Sequence, residues 1–502
     1  MVKRIIGFAV IPTVSLYIAF FGGIAPEKPE IAYTLAVAIL MAGWWITEVV
    51  PLAVTALLPV VLFPVFGVMD GKAVSSAYFN HVIFLFIGGF IMALTMQKWE
   101  LHRRIALKIM MITGSSPKQV LLGFMVATAF LSMWISNTAT AMMMVPIVLS
   151  ITVKLGDFLN EKELSRFRVG LLLAVAYSAS IGGIATLVGT PPNLSFARIL
   201  QIMFPTAPDI SFSNWFLFAL PISLVMLAVS WMLLYLFFKP KEFDSRQTNI
   251  ALRTEYKKLG KKTYEEKVIL TLFILLALLW LTRANLVFGD TVIPGWGNLL
   301  PYPEYINDGT VAIAISILLF VLPSKQRGKR LIDWETATKL PWNIVLLFGG
   351  GFALSAAFKE SGLSLWFGEL MAAADGIPVI YILLIIAFGM TFLTELTSNT
   401  ATTEMILPVL AGLAVTLDVN PLLFMLPATL SASMAFMLPV ATPPNAIVFG
   451  SNQITVAQMA GTGIILNIIG VVIVVLATYF WGSYIFDIDI NLMPEWATMS
   501  AN

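Results

Sequence analysis

Ser132-Met133-Trp134-Ile135-Ser136-Asn137-Thr138-Ala139-Thr140 and Thr394-Glu395-Leu396-Thr397-Ser398-Asn399-Thr400-Ala401-Thr402 share the string Ser-Asn-Thr-Ala-Thr at an offset of 262 (398 − 136). Both stretches lie inside long apolar runs. A second duplicated string follows each of them, Gly189-Thr190-Pro191-Pro192-Asn193 and Ala441-Thr442-Pro443-Pro444-Asn445. Hydroxyls, amides and helix-breaking prolines are poor lipid-facing sequence. Backbone that leaves the helix at bilayer depth survives only inside protein or along a cavity. Two such places, duplicated as a set, read as the two halves of one transport site.

The composition agrees. Of 502 residues, 59% are hydrophobic and 12% charged, against about a quarter charged in soluble domains. Runs of about 20 apolar residues, each able to cross the bilayer, recur along the chain. The fold class is an all-α polytopic membrane protein. A net charge of +2 spread over short loops gives no nucleic-acid surface. The absence of cysteine excludes disulfides and thiolate metal sites. The two histidines, His81 and His102, lie far from the serine-bearing motifs, so no catalytic constellation forms and no enzyme is expected.

Hydropathy places eleven transmembrane helices, near 5–23, 31–49, 51–69, 80–97, 168–206, 213–238, 267–283, 308–323, 341–358, 420–458 and 461–484. Spans 168–206 and 420–458 are too long for one straight crossing and contain the Pro-Pro-Asn strings, so each is read as a broken helix. Segments 119–153 and 378–414, centred on Ser-Asn-Thr, are read as re-entrant hairpins. Lys3 and Arg4 precede an apolar stretch without a clear cleavage site, which suggests a retained first helix within 1–30. Lysine and arginine gather in alternate loops: 98–118, 154–168, 239–267 and 325–339. Loops 207–212 and 284–307 and the tail 486–502 are acidic or neutral. This pattern puts the N-terminus in the cytoplasm and the C-terminus outside, provided both hairpins make no net crossing.

The two halves align. Gly88-Gly89-Phe90 matches Gly350-Gly351-Phe352 at the same offset of 262, whereas Pro191 and Pro443 differ by 252, so the second half is ten residues shorter between hairpin and broken helix. Repeats 31–238 and 267–485, an odd number of crossings apart, are inverted, a transporter design. The Lys- and Glu-rich linker 239–266 is expected to be a solvated cytoplasmic loop without a partner.

A broken helix presents N–H groups and a positive dipole end to an anion, near Pro192 and Pro444. It presents free carbonyls to a small hard cation. Oxygens of Ser132, Ser136, Asn137, Thr394, Ser398 and Asn399 are neutral and few, which favours sodium over calcium. A carboxylate substrate would meet the neutral donors Asn137, Thr138, Thr190, Asn399, Thr400 and Thr442, since neither motif holds a lysine or arginine. Three acids lie at bilayer depth. Glu48 is read as a solvated or capping residue. Glu395 adjoins the second cation site as a tuning group, a proton carrier or a structural hydrogen-bond acceptor. Glu404 has Met142 as its repeat counterpart and no assigned role. Stretch 100–113 reads as a surface amphipathic helix, and the glycine runs 88–89 and 349–351 as close-packing positions.

At these residues the chain resembles the divalent anion:sodium symporter family of di- and tricarboxylate carriers. Trp45-Ile46-Thr47-Glu48-Val49-Val50-Pro51 matches as well, and the likeness covers essentially the whole chain. The resemblance implies a homodimer with an elevator mechanism, with sodium co-transported and no organic cofactor; the short loops suggest a bacterial inner membrane. It implies one sodium held by Ser132, Ser136, Asn137 and Gly189, and a second by Thr394, Thr397, Asn399 and Ala441. Substrate would meet Asn137, Thr138, Ser398, Asn399 and Thr400, with Thr190 and Thr442 beside them. The expected function is sodium-coupled import of C4-dicarboxylates such as succinate, malate and fumarate. Dicarboxylate exchange, or citrate or sulfate carriage, are alternatives within the family. A channel is disfavoured because the pseudo-symmetry is internal to one chain.

Overall fold

The computed structural model describes residues 2–155, 159–240, 245–288, 291–490 and 492–497. Helix starts follow the punctuation in the sequence. Ser116 and Gln119 form a capping box ahead of Pro117, and Thr263–Glu266 and Thr455–Gln458 do the same for later helices. Asn80 accepts from Val82 N at 3.0 Å, and Asn160 from Glu163 N at 3.0 Å, each satisfying a donor that a helix start leaves free.

Both Ser-Asn-Thr stretches are turns between helices. Helix Pro117–Ser132 turns through 133–136 into Asn137–Leu155, and Val379–Thr394 turns through 395–398 into Asn399–Thr416. The helix starts differ by 262, the offset of the motifs. Pro146 and Pro408 occupy equivalent interior positions. The broken helices are Glu161–Ile184 with Pro191–Met203, and Pro421–Ala432 with Pro443–Gly450. Proline opens each second fragment, where its missing N–H is not needed.

Burial sorts the helices. Every residue from Val169 to Thr190 and from Val419 to Phe436 is buried. The part of Glu161–Ile184 from Val169 onward, apolar on all sides, is therefore a central helix. It packs on both arms of the first hairpin, on Phe212–Phe238 and on Pro443–Gly450. Only 11% of the apolar window Lys3–Phe20 is buried, so the rest of the chain leaves most of that helix uncovered. A second group pairs His81–Lys98 with Asp308–Val321. Gly88 makes this approach possible, since a Cβ there would lie 2.5 Å from Ala312 Cβ and 2.7 Å from its carbonyl carbon. Helix Trp342–Glu360 packs against Asn399–Thr416 and Pro191–Met203; Gly351 makes room for Glu404 of the former, while Gly349 and Gly350 admit Tyr78 and Ala56 on its other side. Both glycine runs are thus packing positions.

Several boundaries move. The expected span 51–69 is two short pieces, Leu52–Thr55 and Leu58–Phe66, with Pro64 inside the second. The first broken helix begins at Glu161 rather than 168, and the second ends at Gly450 rather than 458. The repeat's ten-residue shortening arises mainly in the first fragment, which has 24 residues in one half and 12 in the other.

The linker is not a free loop. Residues Ser245–Lys258 form a helix packed against Leu101–Thr113 and Asn137–Leu155. Glu255, 5% exposed, accepts from Lys258 Nζ at 2.7 Å and from Arg103 Nη2 at 3.3 Å. Lys258 draws the Glu255 carboxyl below the usual carboxylate range, against the effect of burial. Arg104, 4% exposed, donates to Glu266 Oε1 at 2.8 Å and to the carbonyls of Leu259 and Gly260 at 3.0 and 3.1 Å. Glu255 and Glu266 are thus buried in ion pairs, while Lys257, Lys261 and Lys262 stay exposed. Helix Leu101–Thr113 is amphipathic as expected, but its inward face carries Arg104 as well as Leu107 and Met110.

Candidate functional site

In the first half, Ser132 ends one hairpin arm and Asn137 opens the next, so both polar side chains lie at the turn. Ser132 Oγ lies in hydrogen-bond contact with Asn137 Oδ1, and 2.7 Å from the Ala179 carbonyl. In the second half, Thr394 Oγ1 lies 2.6 Å from Asn399 Oδ1 and 2.9 Å from the Ala432 carbonyl. Each hydroxyl has a single proton for two acceptor oxygens. The surplus lone pairs are what a small cation would satisfy.

Gly189 joins the first cluster. A Cβ on Gly183 would lie 2.7 Å from Asn137 Oδ1 and 3.1 Å from the Gly189 carbonyl oxygen, so a missing side chain keeps space open between these two oxygens. Ala435 stands at the equivalent position of the second half (183 + 252). Ala441, the counterpart of Gly189, lies in the turn where its N–H donates to Leu438 O at 3.2 Å.

The asparagines of the two Pro-Pro-Asn strings carry a function that sequence reading left unassigned. Asn193 Nδ2 donates to Thr186 O at 2.7 Å and Ile184 O at 3.1 Å; Asn445 Nδ2 donates to Leu438 O at 3.0 Å and Ala435 O at 3.1 Å. Each amide ties the second fragment to the connecting segment of the break, Asn193 also to the last residue of the first fragment, and so fixes the geometry of the break. Both side chains are fully buried, and both Oδ1 atoms lack a hydrogen-bond partner among the described residues. The repeated string at an offset of 252 was the signal that marked them.

The remaining residues divide. Thr190 and Thr442, both 3% exposed, are N-caps of the second fragments; Thr442 Oγ1 accepts from Asn445 N at 3.3 Å, whereas Thr190 makes no side-chain cap bond. Ser398 is the N-cap of its helix, also without a side-chain bond. Thr138 is half-buried and Thr400 buried in the first turns after the asparagines. Ser136 Oγ accepts from Ala139 N at 3.3 Å, a local cap. Thr397 is turned elsewhere, donating to Leu393 O at 2.8 Å and pairing with Thr402 Oγ1 at 2.6 Å.

Glu395 is a clamp between hairpin and break. Its Oε1 accepts from Met437 N and Asn467 Nδ2, both at 2.8 Å, and its Oε2 from Leu438 N at 2.9 Å. The first half makes the same tie with neutral groups, Thr186 Oγ1 donating to Met133 O at 2.5 Å. Glu48 is exposed and ends helix Pro29–Thr47 in the left-handed conformation, φ 48°, a capping position. No group of three or more histidine or acidic side chains suited to a metal occurs among the described residues.

The pattern of the family described as "Sodium:sulfate symporter transmembrane region" matches residues 3–488. The chain is 44% identical over 471 residues to the sodium-dependent dicarboxylate transporter SdcS of Staphylococcus aureus strain bovine RF122 / ET3-1, covering 92% of this chain and 88% of that protein. The SdcS of strain MSSA476 is 45% identical over 468 residues, covering 91% and 87%. Among solved structures, the Neisseria gonorrhoeae MtrF efflux pump aligns with a TM-score of 0.55 at 13% identity, over 94% of this chain and 97% of that one. The Alcanivorax borkumensis YdaH transporter aligns with a TM-score of 0.57 at 13% identity, over 84% and 89%. At such low identity these two show likeness of fold alone. Family pattern and close relatives together place the chain in the sodium:sulfate symporter family, the divalent anion:sodium symporters, as an α-helical membrane transporter and not an enzyme.

Proposed function

We propose that this protein imports C4-dicarboxylates such as succinate, malate and fumarate, driven by sodium. The observation that carries the reading is the duplicated oxygen cluster, Ser132–Asn137–Ala179 and Thr394–Asn399–Ala432, each short of protons beside a broken helix. Relatives at 44–45% identity bear the name sodium-dependent dicarboxylate transporter, which supports the same cargo. Ser132, Ser136, Asn137 and Gly189 serve one sodium. Thr394, Asn399 and Ala441 serve the other, with Thr397 reaching it only after leaving its present partners. The substrate carboxylates lie between the tips, against Asn137, Thr138, Ser398, Asn399 and Thr400, with Thr190 and Thr442 at the fragment N-termini.

Charge bears on the energetics. Moving a dianion inward against about −100 mV costs roughly 4.6 kcal/mol. Two sodium ions cancel that cost and leave their own gradient to drive uptake. The hairpins and broken helices form the mobile body, and the remaining helices form a scaffold that pairs two copies into a homodimer and lets the body slide as an elevator. The N-terminus lies in the cytoplasm, the C-terminus outside, and the host membrane is a bacterial inner membrane; loop charge supports this orientation. Repeats 31–238 and 267–485 swap conformations to open either side.

The test is radiolabelled succinate uptake into proteoliposomes under an inward sodium gradient, competed by a panel of anions. Uptake that needs sodium and is blocked by malate and fumarate supports the proposal. Uptake that needs only internal dicarboxylate, or that sulfate or citrate blocks better than malate, replaces it with the exchanger or the other cargo.

A further inference from the structure

Glu404 takes no part in either oxygen cluster. Its side chain is fully buried. Oε1 accepts from Ser195 Oγ at 3.0 Å, while Oε2, also buried, has no hydrogen-bond partner among the described residues. The carboxyl lies against a helix exactly where that helix has no side chain: a Cβ on Gly351 would come within 2.2 Å of Oε2 and 2.3 Å of Cδ. Three elements therefore meet at this acid. Glu404 stands on the second hairpin, Ser195 on the first broken helix, and Gly351 on Trp342–Glu360, a helix of the scaffold. Pro408, four residues on, has no N–H for the Glu404 carbonyl and leaves one more oxygen without its helical donor.

An ionised carboxylate here would be a buried charge facing a single neutral donor, a costly arrangement at bilayer depth. The other ionisable groups nearby do not answer it. Tyr78 gives its hydroxyl to Ala56 O at 2.5 Å, Arg198 leans on Gln201 Oε1 at 3.4 Å, and Lys359 donates to Ile202 O at 3.0 Å. On the other helices packed against Asn399–Thr416, Glu30, Glu360, Glu369 and Tyr381 are exposed, and Tyr33 stacks on Phe66. A hard metal cation gathers about six oxygens, and Ser195 Oγ with the freed carbonyl falls well short. A proton needs only the carboxylate itself.

We propose that Glu404 is a third cation position of the mobile body and that its cation is a proton. Resting on the dicarboxylate reading above, the carboxylate takes a proton from water on the entry side, crosses as a neutral acid past the glycine seam, and returns the proton to water on the exit side. No bond other than O–H forms or breaks and no electrons change hands. A dianion accompanied by two sodium ions and one proton then moves one net positive charge inward.

The full chain is reconstituted in vesicles holding a trapped pH dye, with the potential clamped by potassium and valinomycin. Sodium and succinate are added outside at about pH 8, far above the carboxylate range. The expected result is lumenal acidification one-for-one with succinate in the wild type, and none per succinate taken up in E404Q. Sodium-driven uptake without acidification in the wild type overturns the proposal, as does equal acidification in E404Q. If E404Q yields no folded protein or no uptake, E404D decides: proton movement coupled to succinate supports the proposal, and proton-silent succinate uptake overturns it. Failure of the wild type to take up succinate at all instead refutes the dicarboxylate reading, so the two failures are separable.

Discussion

Replacing Glu395 by glutamine removes one acceptor from a site where three N–H groups converge. Met437 N and Asn467 Nδ2 both point at Oε1 from 2.8 Å, and Leu438 N points at Oε2 from 2.9 Å. Glutamine keeps one carbonyl oxygen and puts an NH2 in the other place, so either orientation sets a donor against a donor. Bonds to a charged acceptor contribute about 1.5–3 kcal/mol each, and a buried donor left unmade costs about 1–3 kcal/mol. The local loss is therefore about 3–5 kcal/mol. It falls on the segment that leads to Ala441 and Thr442. If about 2 kcal/mol of it is felt at the second cation site, half-activating sodium rises about 30-fold. Thermal unfolding of the purified protein should start several degrees lower, and the sodium dependence of succinate uptake should shift to higher concentration. An unchanged unfolding midpoint together with unchanged sodium activation would refute the clamp.

Asn137→Ala and Asn399→Ala should each abolish uptake while leaving a folded protein of unchanged oligomeric state, measured by uptake and size-exclusion chromatography; normal transport by either removes it from the site. Ser132→Ala should weaken sodium activation and raise the apparent succinate constant by the same coupling, with milder effects at saturating sodium, because linkage between two ligands is reciprocal. Arg104→Ala leaves the buried Glu266 carboxylate without its partner and should cost about 3–5 kcal/mol, read as a lower unfolding midpoint; a change under about 1 kcal/mol would class the pair with surface bridges. Single cysteines at Lys162 and Asp418, in a chain with none of its own, report topology through a membrane-impermeant thiol reagent on intact cells: Asp418→Cys should label and Lys162→Cys should not.

The candidate site was legible because its motifs are written twice. A lone Ser-Asn-Thr in apolar sequence is indistinguishable from residues that join helices by hydrogen bonds, but two copies in register, each followed by Pro-Pro-Asn, leave little else for the breaks to do. Ser132, Asn137 and Gly189 do come together, as do Thr394 and Asn399. The family pattern groups Thr397 with them, yet its hydroxyl is engaged by Leu393 and Thr402. The fold was less legible where charge is internal. The linker's lysines and glutamates suggest water, and nothing in one sequence reveals that Glu255 and Glu266 find Arg103 and Arg104 more than 150 positions away. For the same reason hydropathy starts the first broken helix too late: Glu161–Arg168 is rich in charge but is helical all the same.

That polar extension has a further consequence. The longer first fragment exceeds its counterpart by 12 residues, about 18 Å of helix. From it Arg168 Nη1 donates to Gln453 Oε1 at 2.7 Å, just past the end of the other broken helix, and Arg166 Nε donates to Phe237 O at 2.8 Å. Deeper, the Tyr177 hydroxyl donates to Met459 O at 3.2 Å. The long fragment is thus tied to Phe212–Phe238, to the loop after Pro443–Gly450 and to Val456–Leu476, and it packs directly on Pro443–Gly450, so a shift of one break strains the other. A carrier built from independent halves would let a half-filled machine travel and dissipate the sodium gradient as leak. On the reading proposed above, such ties would turn two local occupancy events into a single decision to move, and contacts well away from any cargo would set the tightness of coupling.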